Sequence, residues 1–294
     1  MALRIGFRTS PQNVDWPTLE SAWAEAGRHD VFDSGWLNDH LTDPRRDRGG
    51  PGLEAVATLA ALARLVPGKR IGHTVLAATF RHPSLLAKQA VTIDHISDGR
   101  FILGLGAGWH VGEHESFGIE LPAIGERMSR LEGQVQVLKA LFSDAARGAP
   151  GVTLDAPPYR LDGAVMEPAP LQAGGPPIWL GAQKPRGMRL TARLADGWNY
   201  AANLDGSVDE FRKRHDALRA TCDEVGRDIG ELTVSVQLVI PDGRAERRSA
   251  REAAAGYVRA GAQEIMLTIP ARSGAEGIRR LAAEVAVPLR EALG

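Results

Sequence analysis

Two segments of this chain combine residue types that can move protons with glycines that let a ligand come close. The first is Asp39-His40, a carboxylate beside an imidazole. Imidazole titrates near neutrality, so a histidine in a site can exchange a proton in step with another transfer. The second is Thr79–Trp109, TFRHPSLLAKQAVTIDHISDGRFILGLGAGW, which ends in glycines at 104, 106 and 108. Without a Cβ, these positions allow backbone and ligand to approach each other closely. Just beyond, His110-Val111-Gly112-Glu113-His114 spells H-x-x-E-H, the pattern of one zinc peptidase class. That chemistry needs both histidines on one helix face and a third ligand further on. Gly108 and Gly112 are expected to weaken any helix there, so no metal is expected. The glycines do not spell the dinucleotide pattern G-x-G-x-x-G, which would need glycine where Trp109 or Val111 stands.

The elements that must position these groups alternate along the whole chain. Strands are expected at Leu3–Arg8, Phe32–Asn38, Arg70–Ala77, Phe101–Gly106, Ile178–Gly181, Trp198–Ala201, Leu232–Ile240 and Glu264–Ile269. Helices are expected between and after them. Trp16–His29, Leu53–Val66, Leu85–Ile96 (opened by His82-Pro83) and Glu126–Phe142 make up the first half. Arg186–Ala195, Val208–Val225, Arg247–Ala260 and Ala275–Leu293 make up the second. Glu126–Phe142 shows the clearest apolar stripe, with Met128, Leu131, Val135, Leu138 and Phe142. Eight strands each followed by a helix predict an α/β fold, a (β/α)8 TIM barrel, as one domain over 1–294. Its site belongs at the carboxyl ends of the strands, where Asp39-His40 and the glycines fall. Residues 147–177 are dense in proline and glycine and predict an insertion between the fourth helix and fifth strand, with short β-like pieces near Val152–Leu154 and Tyr159–Leu161. The loop Thr42–Gly52 and this insertion are expected to shape a substrate entrance.

The 294 residues are 44% hydrophobic, ample for a large core, and the net charge of −1 argues against nucleic acid or an anionic membrane as partner. No apolar run is long enough to span a membrane, and MALRIGFRTS lacks a secretory h-region, so a cytoplasmic protein is expected. The single cysteine, Cys222, falls in phase with Phe211, His215, Leu218 and Val225 and reads as a core thiol. His29, His95 and His215 read as structural or solvated, His82 as a helix cap beside Pro83, and His73 as facing either the barrel or the site. Trp179 and Trp198 read as packing; Trp109 is the tryptophan expected to touch a ligand. The basic run Arg244–Arg251 reads as a solvated helix face.

Several of these segments together resemble the bacterial luciferase-like superfamily. They are Trp36-Leu37-Asn38-Asp39-His40, Thr79-Phe80-Arg81-His82-Pro83, and Gly104–Trp109 with Glu113-His114. Asp98-Gly99-Arg100, Gly125-Glu126-Arg127 and Ala195-Asp196-Gly197-Trp198-Asn199 fit the same order, so the resemblance covers nearly the whole chain. Within the superfamily the combination is most similar to oxidoreductases that use the deazaflavin coenzyme F420. The resemblance implies hydride transfer between F420 and a small organic substrate, with His40 as catalytic acid or base. It places Asp39 and His40 by the reactive ring, and a non-proline cis peptide at Thr74-Val75 that props the ring into a bent shape. Ala107, Gly108 and Trp109 would line the ring and its side chain. Gly181, Ala182 and Gln183 would offer N–H groups to the cofactor phosphate, and Tyr200 and Ala201 would close the pocket. A homodimer, and a separate flavin or F420 reductase as partner, are implied as well.

Two departures from the family pattern bear on this. Trp109 and Gly112 stand where sugar-phosphate members have a glutamate and an asparagine, which argues against that substrate class. Gln183 and Lys184 replace glycines common in the phosphate loop; Lys184, Arg186 and Arg189 are the cations available to compensate. FMN-dependent monooxygenases share the barrel and many of these motifs, so FMN remains the alternative cofactor, with reduced flavin and oxygen as reactants. A flavin-binding relative without catalysis is the third reading.

Overall fold

The computed structural model describes residues 3–44, 50–202, 207–241 and 243–293. Eight short, apolar, fully parallel stretches of chain form its centre. In chain order the strands are β1 (Arg4–Thr9), β2 (Ser34–Leu37), β3 (Arg70–His73), β4 (Leu76–Ala77), β5 (Phe101–Gly106), β6 (Val152–Ala156), β7 (Tyr159–Ala164), β8 (Ile178–Leu180), β9 (Gly197–Ala201), β10 (Thr233–Val239) and β11 (Glu264–Thr268). The sheet runs β3-β2-β1-β11-β10-β9-β8-β5-β4, and pairing of β3 with β5 at Ile71 and Phe101 closes the ring. With β3 and β4 counted as one interrupted strand, this is the expected (β/α)8 barrel. β6 and β7 pair with each other as an antiparallel hairpin inside the 147–177 segment, outside the ring.

The helices are α1 (Trp16–Gly27), α2 (Ala55–Leu62), α3 (Pro83–Ile96), α4 (Val111–Phe117), α5 (Ile124–Phe142), α6 (Pro185–Leu194), α7 (Val208–Glu224), α8 (Arg244–Arg259), α9 (Gly274–Leu281) and α10 (Val287–Leu293). Their starts follow the local chemistry. Asp15 caps α1 by accepting from the Thr18 N–H, and His82 caps α3 by accepting from the Ser84 N–H. Pro83 and Pro185 occupy first turns, where a missing N–H costs nothing. α9 and α10 are joined without a break by a π-helical turn at Ala282–Ala286. No helix of the described residues is long and apolar enough to cross a membrane.

Three expectations need correction. The third strand is not continuous: the cis peptide Thr74-Val75 interrupts it between β3 and β4. Gly112 does not prevent a helix, because His110 caps α4 by accepting the Glu113 N–H at 3.0 Å. Val225 ends outside the stripe and is exposed, whereas Phe211, His215, Leu218 and Cys222 are buried as their spacing predicts. Residues 45–49 of the Thr42–Gly52 loop lie outside the described residues.

The barrel interior is filled by its own cluster, Trp36, Ile102, Trp179 and Met266, with the two indoles stacked at 5.1 Å. Trp36 therefore packs inside the barrel together with Trp179, as layers of large side chains fill barrels of this size. At the opposite end from the glycines, buried Glu264 opens β11 and accepts hydrogen bonds from Ser34 Oγ and Arg70. Its neighbours satisfy a carboxylate that burial alone would penalise.

Candidate functional site

A cavity of about 900 Å³ opens among the carboxyl ends of the strands. Asp39, His40, Thr74, Val75, Ala107, Gly108, Trp109, Gly181, Ala182, Gln183 and Ala201 all line it. Tyr200 does not. Strand alternation turns its ring outward, where it packs on Trp198, Phe211 and Tyr257. Its inward neighbours on β9, Asn199 and Ala201, line the cavity instead.

The glycines have a specific job here. A Cβ at Gly106 would stand 2.6 Å from Val75 Cγ2, and one at Gly181 would stand 3.2 Å from Val75 Cγ1. A Cβ at Gly104 would collide with the His73 carbonyl oxygen. Gly106 and Gly181 leave the room that the Val75 side chain occupies, and Val75 lines the cavity. Gly108 adopts φ +76°, a conformation that side-chain-bearing residues rarely take, as the chain turns from β5 towards α4.

His40 is held by Glu113. Its Nδ1 lies 3.0 Å from Glu113 Oε2, while Glu113 Oε1 accepts the backbone N–H groups of Leu41 and, at 3.1 Å, Thr42. Glu113 is only 2% exposed. Burial pushes its carboxyl up, but the hydrogen bond and charge of His40 and the two N–H groups outweigh this and hold it below the ordinary glutamate value. The Trp109 ring meets His40 edge-on at 5.6 Å and is 59% exposed, the one large aromatic that combines exposure with the cavity wall among the described residues.

Asp39 is oriented by a different partner. Arg81 forks onto both its oxygens at 2.7 and 2.9 Å, and the Ala77 N–H donates to Oδ2 at 2.9 Å. Burial would lower the Arg81 guanidinium, yet the bonds and charges of Asp39 and Glu54 hold it above its ordinary value. The pair ties the loop after β2 to the segment after β4, and so fixes where His40 stands. Buried Asn38, beside it, keeps its Oδ1 without a partner among the described residues while its Nδ2 donates to Gln12 at 2.9 Å.

Deeper polar groups come from strands whose sequence is otherwise apolar. Arg8 Nε donates to Thr74 Oγ1 at 2.8 Å, and Asn199 Nδ2 donates to Ser235 Oγ at 2.8 Å, with Gln237 Nε2 donating to Asn199 Oδ1. Arg8, Thr74, Asn199 and Gln237 all line the cavity. At the start of α6, the Ala182 carbonyl accepts from Trp198 Nε1 at 2.7 Å and the Gln183 carbonyl from Arg214 at 2.9 Å. The Gly181 N–H, expected to face the phosphate, donates instead to Leu105 O at 3.0 Å, whereas α6 has no side-chain cap and the first-turn N–H groups of Arg186 and Gly187 have no partner among the described residues. Of the three cations expected here, Lys184 lines the cavity with no partner among the described residues. Arg186 also lines it, but its guanidinium is bound to Gly125 O and Ser129 Oγ. Arg189 lies outside the cavity and pairs with Glu224.

Other histidines are accounted for. His73 faces away from the cavity, is fully buried, and is within 3.1 Å of Ala55 O; burial pulls its pKa down to about 4. In the H-x-x-E-H segment, His114 uses both ring nitrogens, Nδ1 with His110 O and Nε2 with Thr79 Oγ1, each at 2.8 Å. Glu113 turns to His40 rather than to a site between the two histidines. Sequence reasoning missed Glu113, Arg81, Arg8, Asn199 and Gln237 as parts of this site. Polar residues at alternate positions of β9 and β10, Asn199, Ser235 and Gln237, were the available signal for the last two.

A closed parallel barrel with one large cavity on its carboxyl rim, and an ordered carboxylate–imidazole pair in the wall, defines an enzyme of the TIM-barrel class. The luciferase-like monooxygenase family matches residues 21–289, and the chain belongs to that family. The F420-dependent glucose-6-phosphate dehydrogenase of Nakamurella multipartita is 29% identical over 241 residues, 81% of this chain and 67% of that protein. A protein of the same description from Microbacterium testaceum is 33% identical over 204 residues, 69% of this chain and 58% of its own length. The phthiodiolone/phenolphthiodiolone dimycocerosates ketoreductase of Mycobacterium tuberculosis is 28% identical over 261 residues, 82% and 66% of the two chains. The chain thus spans about two thirds or less of the length of these relatives. Among solved structures, an F420-dependent secondary alcohol dehydrogenase with an F420-acetone adduct superposes with a TM-score of 0.80 at 17% identity, covering 99% of each chain. A long-chain alkane monooxygenase gives 0.76 at 13%, covering 99% of this chain and 92% of its own. At such identities these two likenesses show the fold.

Proposed function

We propose that this chain is an F420-dependent oxidoreductase acting on a carbon that alternates between hydroxyl and carbonyl. The observation that carries the reading is the convergence of Asp39-His40, Thr74-Val75, Gly106–Trp109 and Gly181–Gln183 on one cavity. The relatives' descriptions, dehydrogenases and a ketoreductase, support the choice of cofactor and reaction. The residues present fit such a cofactor. The space of about 900 Å³ suits a tricyclic ring with a long tail, and Asn38 Oδ1, without a partner among the described residues, offers an acceptor to a ring N–H. Lys184 and the start of α6 suit a phosphate. When bound, F420 supplies a ring carbon that accepts or returns a hydride.

The chain's own residues do the rest. Val75 and the glycines shape the wall against which the ring would rest, and Arg81 holds Asp39 so that the β2 loop presents His40. His40 exchanges the substrate's hydroxyl proton. Trp109 covers the neighbouring rim. The same reading carries a cytoplasmic location, a homodimer and a separate reductase that regenerates cofactor; light scattering on the purified protein tests the dimer. The direct test is turnover. Reduced F420 mixed with protein and cyclohexanone or acetophenone should regain its oxidised visible absorbance, with the alcohol as product. Turnover of reduced FMN and oxygen, with no reaction of reduced F420, would establish the monooxygenase reading instead.

A further inference from the structure

One residue, Glu113, contacts both cavity-lining imidazoles that keep a nitrogen without a partner among the described residues, and it contacts them in opposite senses. The Glu113 carboxylate can only accept, so His40 Nδ1, 3.0 Å away, must carry a hydrogen. The Glu113 backbone N–H can only donate, so His110 Nδ1, also 3.0 Å away, must be bare. In the neutral rings the remaining nitrogens are then fixed: His40 Nε2 is an acceptor and His110 Nε2 carries the hydrogen. Neither Nε2 has a partner among the described residues, and both rings line the cavity with centroids 6.3 Å apart. The cavity's carboxylates are otherwise engaged: Asp39 with Arg81 and the Ala77 N–H, Asp43 with Asn13, Glu113 as described. His114, the third lining imidazole, uses both its nitrogens.

We infer that Glu113 is a positioning residue that presets His40 and His110 as a complementary acceptor–donor pair, with His110 supplying the second polar contact to the substrate oxygen. This rests on the hydroxyl–carbonyl reading above. In the oxidative direction the substrate hydroxyl proton passes to His40 Nε2 as the hydride of the same carbon leaves for the bound deazaflavin. In the reductive direction the imidazolium, paired with the Glu113 carboxylate, returns that proton to the carbonyl oxygen. His110 Nε2–H donates to the same oxygen in both directions and transfers nothing. The titratable groups in contact with the His40 ring are Glu113 and His110, from α4 and its cap; Asp39 and Asp43, on its own segment, line the same cavity.

The first test reads tautomers, not turnover. Long-range nitrogen–proton NMR of 15N-histidine-labelled protein, assigned with H40N and H110N, should show His40 protonated at Nδ1 and His110 at Nε2. In E113Q the His40 pattern should change, because one amide cannot accept from His40 and from two backbone N–H groups together; His110 should not change, since its partner is backbone. A His40 hydrogen on Nε2, a His110 hydrogen on Nδ1, or an E113Q spectrum like wild type overturns the inference. The second test uses F420 and cyclohexanone. E113Q should lower kcat about 100-fold while F420 affinity stays within about threefold, and the acid limb of its pH profile for alcohol oxidation should move to lower pH. E113D should recover part of the loss. If H110N keeps full kcat/KM, His110 is not the donor. Failure to bind or turn over F420 with the tautomers as stated would reject the cofactor reading and leave the presetting intact.

Discussion

Replacing Arg81 with methionine isolates the clamp that sets the catalytic loop. Asp39 is 4% exposed, and Arg81 supplies two of its three hydrogen bonds. In R81M the carboxylate keeps only the Ala77 N–H, and a buried charge that loses its partner costs about 3–5 kcal/mol. Globular proteins gain about 2.1 cal/mol/K of unfolding entropy per residue, so in a chain of 294 residues each kcal/mol moves the melting point by about 1.6 °C. The expected loss is about 5–8 °C. D39N alone strands the guanidinium, although Glu54 still accepts from it, so its loss should be smaller. The double variant removes both charges and should melt well above the sum of the single losses, a coupling of about 2 kcal/mol or more. Differential scanning calorimetry on the four proteins completes the cycle. Strict additivity, or an R81M loss below about 2 °C, would refute the view that this pair organises the β2 loop.

Other consequences follow from single contacts. Gly106→Val forces a side chain into the place of Val75 Cγ2, 2.6 Å from the new Cβ; fluorescence titration should show F420 affinity falling at least about tenfold. Lys184→Ala should weaken F420 binding and flatten its salt dependence, read by the same titration at two ionic strengths, since it removes a cation that lines the cavity with no partner among the described residues. His73, with its folded pKa lowered to about 4 from 6.5, binds its proton more readily when unfolded. Wild-type stability should therefore be fully present above 6.5 and fall by on the order of 3 kcal/mol as the pH drops to 4. H73Q should lack that part of the pH dependence of the melting point. Glu113, held below the ordinary value of 4.5, stabilises the fold above that pH and ceases to do so as its carboxylate protonates. The melting gap between wild type and E113Q should accordingly narrow as the pH is taken below 4.5.

The alternation of strands and helices was readable because each barrel strand is short, apolar and bounded by polar turns, and β5 appears with the bounds its pattern predicts. What the pattern could not show was direction. Tyr200 and His73 sit beside cavity residues in sequence, yet strand alternation sends both side chains outward, to α7 and α8 and to α2. α4 was hidden because Gly112 lowers helix propensity, and the cap that offsets it comes from a histidine rather than the usual serine, threonine or aspartate. Glu113 was legible as part of a motif, but its partner lies 73 residues earlier, a pairing that only the closed ring brings about.

Bound as proposed, F420 would lie in the rim cavity with its ring beside His40 and Trp109. A titration of the protein's tryptophan fluorescence with F420 and, separately, FMN tests this placement most directly, because exposed Trp109 lines the cavity. Saturable, one-to-one quenching by F420 at micromolar or lower concentration is expected, greatly reduced in W109F. Tighter binding of FMN, or F420 quenching that W109F leaves unchanged, would contradict the proposal.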